Sequence, residues 1–284
     1  MSTTTETNYK DFDVAVTKLR SFFKSKGFVE VHTQDKLSIL AACEDPTTMS
    51  TYNYAGNVFP LPQTGQMWLE NYLLEHPEEQ GFFCLSTSYR NEPNPVKGRH
   101  DLIFPMFEFE SKGTMDDLIQ LEKELLEYLG FSKDMYPNNV YPEGDYEDVA
   151  KKYEVDILEH EHETQLEKDY GPVYFLKNFP ERTSPFWNMR FCDDDITHSK
   201  KVDVIIHGIE TIGSAERSCD KEAMRNTFNT ISDGGYAAML YGNFTKERVL
   251  KEMNHFLGKE FFPRFGGGIG MTRIIRALKM SNLI

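Results

Sequence analysis

With 284 residues, 39% of them hydrophobic and 27% charged, the chain is long enough to bury a sizeable core and too mixed in composition for a fibre or a charged tail. Its 45 acidic residues outnumber 31 basic ones, giving a formal charge of −14, and no basic run offsets this, so stable nucleic-acid binding through phosphate neutralisation is not expected. The sequence has neither an apolar run of membrane-spanning length nor a secretory signal in its opening MSTTTETNYKDF, so the expectation is a cytoplasmic protein with no membrane partner.

In chain order, residues 1–8 are small and polar and are expected to be disordered. Phe12, Val14, Ala15, Leu19, Phe22 and Phe23 then recur at helical spacing as far as Gly27. GFVEVHT alternates like a strand, and the stretch through Glu44, Asp45 and Pro46 reads as a loop. FFCLSTSYR and LIFPMFEFES read as two strands joined by NEPNPVKGRHD, whose two prolines and one glycine mark a hairpin-like loop. MDDLIQLEKELLEYLG is a helix. Residues 131–170 are polar, acidic and poor in apolar periodicity, and are read as a peripheral insertion. VYFLKNF, FWNMRF and VDVIIHGIETIG are strand candidates, followed by helices near 217–230 and over 246–257 and by a glycine-rich turn opening a final helix. This order indicates an α+β fold, an antiparallel sheet flanked by helices, as one domain over 9–284. The scattered Cys43, Cys84, Cys192 and Cys219 have no zinc-site spacing and read as reduced structural thiols.

Three constellations carry chemistry. Arg90 and Glu92 end one strand, and Arg99, His100 and Glu108 follow across the loop. An arginine fork suits a phosphate, and a glutamate accepts from adenine or an ammonium group; an ordinary solvated hairpin tip explains the same pattern equally well. Asp203 and Glu210 lie seven residues apart, on opposite faces of a regular strand, so both reach one hard cation such as Mg²⁺ only if Gly208 introduces a bulge or bend. Two isolated acids more often include one that faces solvent. In FGGGIGMTR, Gly266, Gly267, Gly268 and Gly270 lead into a helix carrying Arg273, a weak phosphate signal that tight packing explains as well.

Together the three carry a resemblance. YRNE, then RH, then MFEFE resembles motif 2 of the class II aminoacyl-tRNA synthetases, and GIGMTR resembles motif 3. HGIETIGSAER, LPQTGQMWLE and HEHETQLEKDYGPVYFLKNFP followed by PFWNM are similar to segments of the aspartyl and asparaginyl branch, so the resemblance runs from about Tyr9 to the end of the chain. It implies the class II synthetase-like fold and an ATP site in which Arg90 holds the α-phosphate and Glu92 the adenine side. Arg99 and His100 would stand near the outer phosphates, Arg273 on the γ-phosphate, and Gly268 and Gly270 beside the nucleotide. Asp203 and Glu210 would ligate Mg²⁺. Gln66 and Glu108 would contact the amino acid's ammonium and backbone, Gln63 and Ser214 would complete that pocket, and Arg217 would face the side-chain oxygen.

Three departures bear on this. Gln34 replaces the proline that normally follows the motif 1 strand, at the interface of the expected homodimer. Leu69 replaces the lysine of aspartyl enzymes, leaving Arg217 less help with a free carboxylate, and Glu216 replaces a glutamine. The core begins almost at the first residue, leaving no room for the N-terminal anticodon-reading fold of that branch, so stable tRNA binding is not expected. The same core without that fold resembles the ammonia-dependent asparagine synthetases. The expectation is therefore ATP-dependent, AMP-forming activation of aspartate and its amidation by ammonia. The alternative is a ligase that activates aspartate, asparagine or an analogue and passes it to a peptide, a small molecule or a tRNA. A non-catalytic binding subunit is a third reading, disfavoured because it has no need of Arg90, Glu92, Asp203, Glu210 and Arg273 together.

Overall fold

The computed structural model describes residues 7–34, 37–39, 48–96, 98–183 and 186–284. The loop read through Glu44, Asp45 and Pro46 lies outside the described residues, as does the expected disordered N-terminus except for Thr7 and Asn8. Asn8 is the N-cap of helix α1 (Tyr9–Ser25), its side chain accepting from the Lys10 amide at 2.9 Å. The helix buries Ala15, Leu19, Phe22 and Phe23 of the expected stripe and adds Val16, while Phe12 is half-buried and Val14 faces solvent.

The strands are β1 (Phe28–Glu30), β2 (Thr51–Tyr54), β3 (Asn57–Pro60), β4 (Gly81–Tyr89), β5 (Ile103–Lys112), β6 (Glu143–Asp145), β7 (Val173–Pro180), β8 (His198–Ile206), β9 (Ile209–Arg217) and β10 (Arg264–Gly270). The later helices are α2 (Gln66–Glu75), α3 (Met115–Leu129), α4 (Tyr146–Lys152), α5 (His160–Tyr170), α6 (Lys221–Thr230), α7 (Gly235–Phe244), α8 (Lys246–Leu257) and α9 (Met271–Met280). Eight strands form one sheet in the order β1-β4-β5-β10-β9-β8-β7-β6. Its six central strands are antiparallel, and β1 and β6 add parallel pairings at the two edges. The sequence places β10 last, yet it pairs between β5 and β9, which brings the second, third and first constellations side by side.

Helices α1, α3 and α9 share one apolar core with the central strands, around Phe23, whose ring lies 5.0–5.9 Å from those of Phe28, Phe83, Phe107 and Phe109. Each such buried aromatic is worth roughly 1.5–3 kcal/mol of transfer free energy. Helix α3 starts in a Thr114–Asp117 capping box and stops at Gly130, whose φ of 105° closes the last turn. A second apolar cluster joins α6, α7 and α8 to Trp187 and Met67 of α2. No helix among the described residues is long and apolar enough to cross a membrane.

Four sequence expectations are corrected. FWNMRF forms no strand, because Trp187 packs into the helical cluster; only single bridges, Met189 to Arg217 and Phe191 to Ser199, tie it to the hairpin. VDVIIHGIETIG is not one strand but the β8–β9 hairpin, turning at His207 (φ 48°) and Gly208 (φ 68°). That turn has the two positive φ values that a tight right-twisted hairpin requires. The glycine-rich run is strand β10 rather than a turn, and the helix starts after it, at Met271. The segment 131–170 contributes β6 to the sheet edge and, through α5, Glu163, which holds Arg99 of the cavity described next.

Candidate active site

A cavity of about 880 Å³ opens over the central strands, on the face opposite α3. Its lining includes Arg90, Glu92, Arg99, His100, Glu108, Gln66, Glu210, Ser214, Arg217, Gly268, Gly270 and Arg273.

At one end the loop between β4 and β5 meets the β8–β9 turn. The Arg90 amide donates to the Leu102 carbonyl at 2.7 Å, closing the loop, and its guanidinium lies 5.6 Å from the centre of the Phe104 ring. His100 Nδ1 stands 2.8 Å from Glu92 Oε2. Arg273 Nη1 donates to the Glu210 carbonyl at 2.7 Å and lies 3.5 Å from Glu210 Oε2, while Nη2 reaches the Arg99 carbonyl at 3.3 Å. Arg99 Nη2 donates to Glu163 Oε2 at 2.6 Å and to the Gly208 carbonyl at 3.1 Å, and Glu163, from α5, also accepts from the Glu210 amide at 3.0 Å. Burial and the nearby Glu210 charge raise the Glu163 carboxyl above its ordinary value.

Asp203 and Glu210 converge because of two local irregularities. The His207–Gly208 turn folds β9 back on β8, and a bulge near Thr211 shifts the pairing from Val204–Ile212 to Ile205–Glu210. A Cβ built on Gly213 would fall 2.7 Å from Glu210 Oε1 and 3.6 Å from Asp203 Oδ1, so one glycine-sized gap faces both carboxylates. Asp203 Oδ2 accepts from Lys201 Nζ at 2.8 Å, and Oδ1 is buried with no hydrogen-bond partner. Burial pushes the Asp203 carboxyl up to about 7, against the pull of Lys201 and with the Glu210 charge adding to the rise. Burial acts the same way on Glu210, but Arg273, Lys201 and Arg90 together hold it below its usual range. Two hard oxygen donors, one of them an orphaned buried oxygen, fit a divalent cation such as Mg²⁺.

The other end is a pocket of buried charges. Glu108 is 2% exposed and accepts from the Gly65 amide at 2.8 Å and from the Thr64 and Ser86 hydroxyls. Arg217 donates to Glu110 Oε1 from Nε at 3.1 Å and Nη2 at 2.5 Å, and its Nε lies 3.9 Å from Glu70. Burial pushes the Glu110 carboxyl up to about 7 despite Arg217. Two sequence-predicted members direct their polar atoms away from the pocket. Gln63 is fully buried outside the cavity lining and donates to the Thr48 hydroxyl at 3.3 Å. Ser214 reaches the lining, but its hydroxyl turns through the sheet to Glu122 on α3 at 2.7 Å, because alternation puts it on the opposite face from Gly213 and Arg217. Sequence reasoning missed Glu70, Glu110, Glu163 and Arg264. Only Glu110 left a signal, standing two residues beyond Glu108 on the same strand face.

Two stability results follow. Gly266 pairs with Glu110 across β5–β10, and an added Cβ would fall 2.0 Å from Glu110 Oε1. Since Arg217 pins Glu110, Gly266→Ala should lower unfolding free energy by at least about 1–3 kcal/mol, and an unchanged denaturant midpoint would contradict the packing. Burial also pushes the Glu122 carboxyl up from 4.5 to about 8, against the pull of the Ser214 hydrogen bond. A proton bound more tightly in the folded chain gives stability that is fully present below pH 4.5 and is lost as pH rises through about 8. Denaturation at pH 5 and pH 8 should show a smaller loss for Glu122→Gln than for the parent, the group's share being at most about 1.4 kcal/mol per pH unit. Equal losses would exclude Glu122 as the source.

The sequence model of the family described as tRNA synthetases class II (D, K and N) matches residues 2–284. An aspartate–tRNA(Asp) ligase of Pyrobaculum aerophilum is 26% identical over 298 residues, covering 94% of this chain and 63% of that protein. Asparaginyl-tRNA synthetase from Pyrococcus horikoshii, solved with asparaginyl-adenylate, superposes with a TM-score of 0.76 at 18% identity over 95% of this chain and 64% of that one. Asparaginyl-tRNA synthetase from Entamoeba histolytica, also with asparaginyl-adenylate, gives 0.71 at 17% identity over 95% and 63%. These likenesses show the shared fold, and the chain spans just under two thirds of the length of each relative.

Proposed function

The chain belongs to the class II tRNA synthetases (D, K and N), and from that premise we propose that it is an AMP-forming ligase activating an aspartate- or asparagine-like amino acid as its adenylate. The observation that carries this reading is the convergence of Arg90, Arg273 and Glu210 at one end of one cavity, with Asp203 beside Glu210 behind the Gly213 gap, and of a pocket of buried polar groups at the other. In the reaction an amino-acid carboxylate oxygen attacks the α-phosphorus of ATP, the bond to the bridging oxygen breaks, and pyrophosphate leaves. The protein supplies positioning and charge, with no covalent nucleophile. Arg90 would grip the α-phosphate and Arg273 the outer phosphates, while Glu92 meets the adenine side. Asp203 and Glu210 would hold Mg²⁺, which when bound neutralises phosphate charge. Glu108 and Gln66 would orient the ammonium.

The amino-acid side chain would end at Arg217. That guanidinium already has Glu110 on it and Glu70 nearby, and Leu69 adds no second cation, so a further carboxylate there would be buried with incomplete compensation. A neutral amide, accepting from Arg217 and donating to a glutamate, matches the pocket better. The relatives, named as ligases and synthetases of tRNA, support transfer of the activated amino acid to such an acceptor over its amidation by ammonia. A homodimer belongs to the same proposal.

Amino-acid-dependent exchange of pyrophosphate into ATP, run across a panel, tests the reading. Exchange should be stronger with asparagine than with aspartate, and no exchange with any amino acid would overturn it. Product assays with tRNA, amines and ammonium then separate the acceptors; release of free asparagine from aspartate and ammonium would reinstate the amidation reading.

A further inference from the structure

Lys201 has no part in the reaction described above, yet it stands where the cavity meets the carboxylates of Asp203 and Glu210. It lies two residues before Asp203 on β8, on the same strand face, and pairs with Ala215 next to the Asp203–Gly213 pair. Its Nζ donates to Asp203 Oδ2 at 2.8 Å and rests 3.9 Å from the centre of the Phe179 ring, a cation–π contact that helps hold the ammonium in place. Lys201 reaches the cavity lining, whereas Asp203 lies behind the Gly213 gap.

The two carboxylates are engaged in the same way. Asp203 gives Oδ2 to Lys201, and Glu210 has its Oε2 3.5 Å from Arg273 Nη1. The other two oxygens, Asp203 Oδ1 and Glu210 Oε1, are those that a Cβ on Gly213 would meet, at 3.6 and 2.7 Å. Each acid thus turns one oxygen to the gap and keeps the other beside a protein cation. One ammonium and one guanidinium balance the two negative charges. The pair supplies hard oxygens for Mg²⁺ but little net charge to draw it out of water, and Mg²⁺ dehydrates reluctantly. ATP reverses that balance, because its phosphates bring further oxygen ligands and several negative charges.

We propose that Lys201 makes the cation site conditional on the nucleotide: its ammonium repels a bare divalent cation from Asp203 and Glu210 and admits one that arrives with phosphates. The proposal rests on the ATP-using reading above and adds an order of assembly to it, the cation entering with the nucleotide or after it. The coupling is reciprocal, so each of the two ligands strengthens the binding of the other.

The test is equilibrium dialysis with Mn²⁺ as the probe, with and without ATP, in the absence of any amino acid and at about pH 8.5, where protons compete little for the carboxylates. The parent protein should retain Mn²⁺ far better when ATP is present. Without ATP, Lys201→Met should half-saturate at a free Mn²⁺ concentration at least about tenfold below that of the parent, the effect of taking one nearby unit charge away from a divalent ion. Lys201→Arg keeps the charge and should behave like the parent. The gain should vanish in K201M/D203N, which places it at this pair rather than elsewhere on an acidic surface.

Equal half-saturation in the parent and Lys201→Met would overturn the proposal. So would an arginine variant that matches the methionine one, a gain that survives Asp203→Asn, or retention by the parent that ATP does not improve. Should Lys201→Met fail to fold, Lys201→Gln, which can still donate a hydrogen bond but carries no charge, takes its place. A parent protein that retains no ATP would count against the ligase reading alone, because the comparison of bare Mn²⁺ binding across the three side chains still decides the role of Lys201.

Discussion

Replacing Arg90 with alanine is expected to lower amino-acid-dependent pyrophosphate exchange by about 10²- to 10³-fold, the usual cost of one preorganised donor aimed at developing charge. The expectation follows from how the residue is held. Its amide is locked to Leu102, its guanidinium lies over Phe104, and its charge helps keep Glu210 ionised, so its place in the cavity is set before any ligand arrives. Because the α-phosphorus is where bonds form and break, the loss should fall mainly on kcat, with amino-acid KM little changed. Arg273→Ala should be comparably slow and should also loosen the loop, since Arg273 bonds the carbonyls of both Glu210 and Arg99. Arg90→Ala protein that melts like the parent and exchanges at the parent rate would remove Arg90 from the reaction.

At the end of the cavity around Arg90 and Arg273 most residues were legible in the sequence, whereas at the buried-charge end Gln66, Glu108 and Arg217 were and their partners Glu70, Glu110 and Arg264 were not. Arg90, Glu92, Arg99 and His100 lie in the proline–glycine loop between two strands whose alternation marks a hairpin, and Arg273 follows a distinctive glycine run. Local rules placed them beside one hairpin and one helix start, and only the resemblance of the three constellations taken together gave them roles. The β8–β9 turn escaped because His207–Gly208 is not a common Asn-Gly or Asp-Gly signal, although the requirement for a bend between Asp203 and Glu210 was visible. Helix α2 escaped because it is buried on several sides and begins at Gly65, so it shows neither a capping side chain nor a clear polar face. Glu70 and Arg264 are 194 residues apart, and Glu163 reaches Arg99 from a stretch whose composition reads as peripheral. Such pairings are made by the strand order, above all by the insertion of β10 between β5 and β9, which no local pattern encodes. The same insertion explains the glycines: they look like turn residues, but at Gly266 the space that a side chain would need is occupied by Glu110.

Asp203→Asn and Glu210→Gln should each raise the Mg²⁺ concentration for half-maximal exchange by at least about 10- to 100-fold, since each removes a charged donor while preserving side-chain size. The competing account is that Asp203 exists for Lys201, whose Nζ it holds at 2.8 Å. The two accounts predict different patterns. As the counter-ion of Lys201, Asp203 would affect stability, its removal would leave the Mg²⁺ requirement unchanged, and Lys201→Met would mimic it. As a ligand, Asp203 would affect the Mg²⁺ requirement in step with Glu210, and Lys201→Met would not reproduce the effect. The geometry favours the ligand account. Lys201 engages Oδ2 alone, while Oδ1 is buried, has no hydrogen-bond partner and faces the same gap at Gly213 as Glu210 Oε1. A buried carboxylate oxygen left in that state is costly unless something of opposite charge completes it. An Mg²⁺ titration in which Asp203→Asn matches the parent would leave Glu210 without its partner and remove the cation from this end of the cavity.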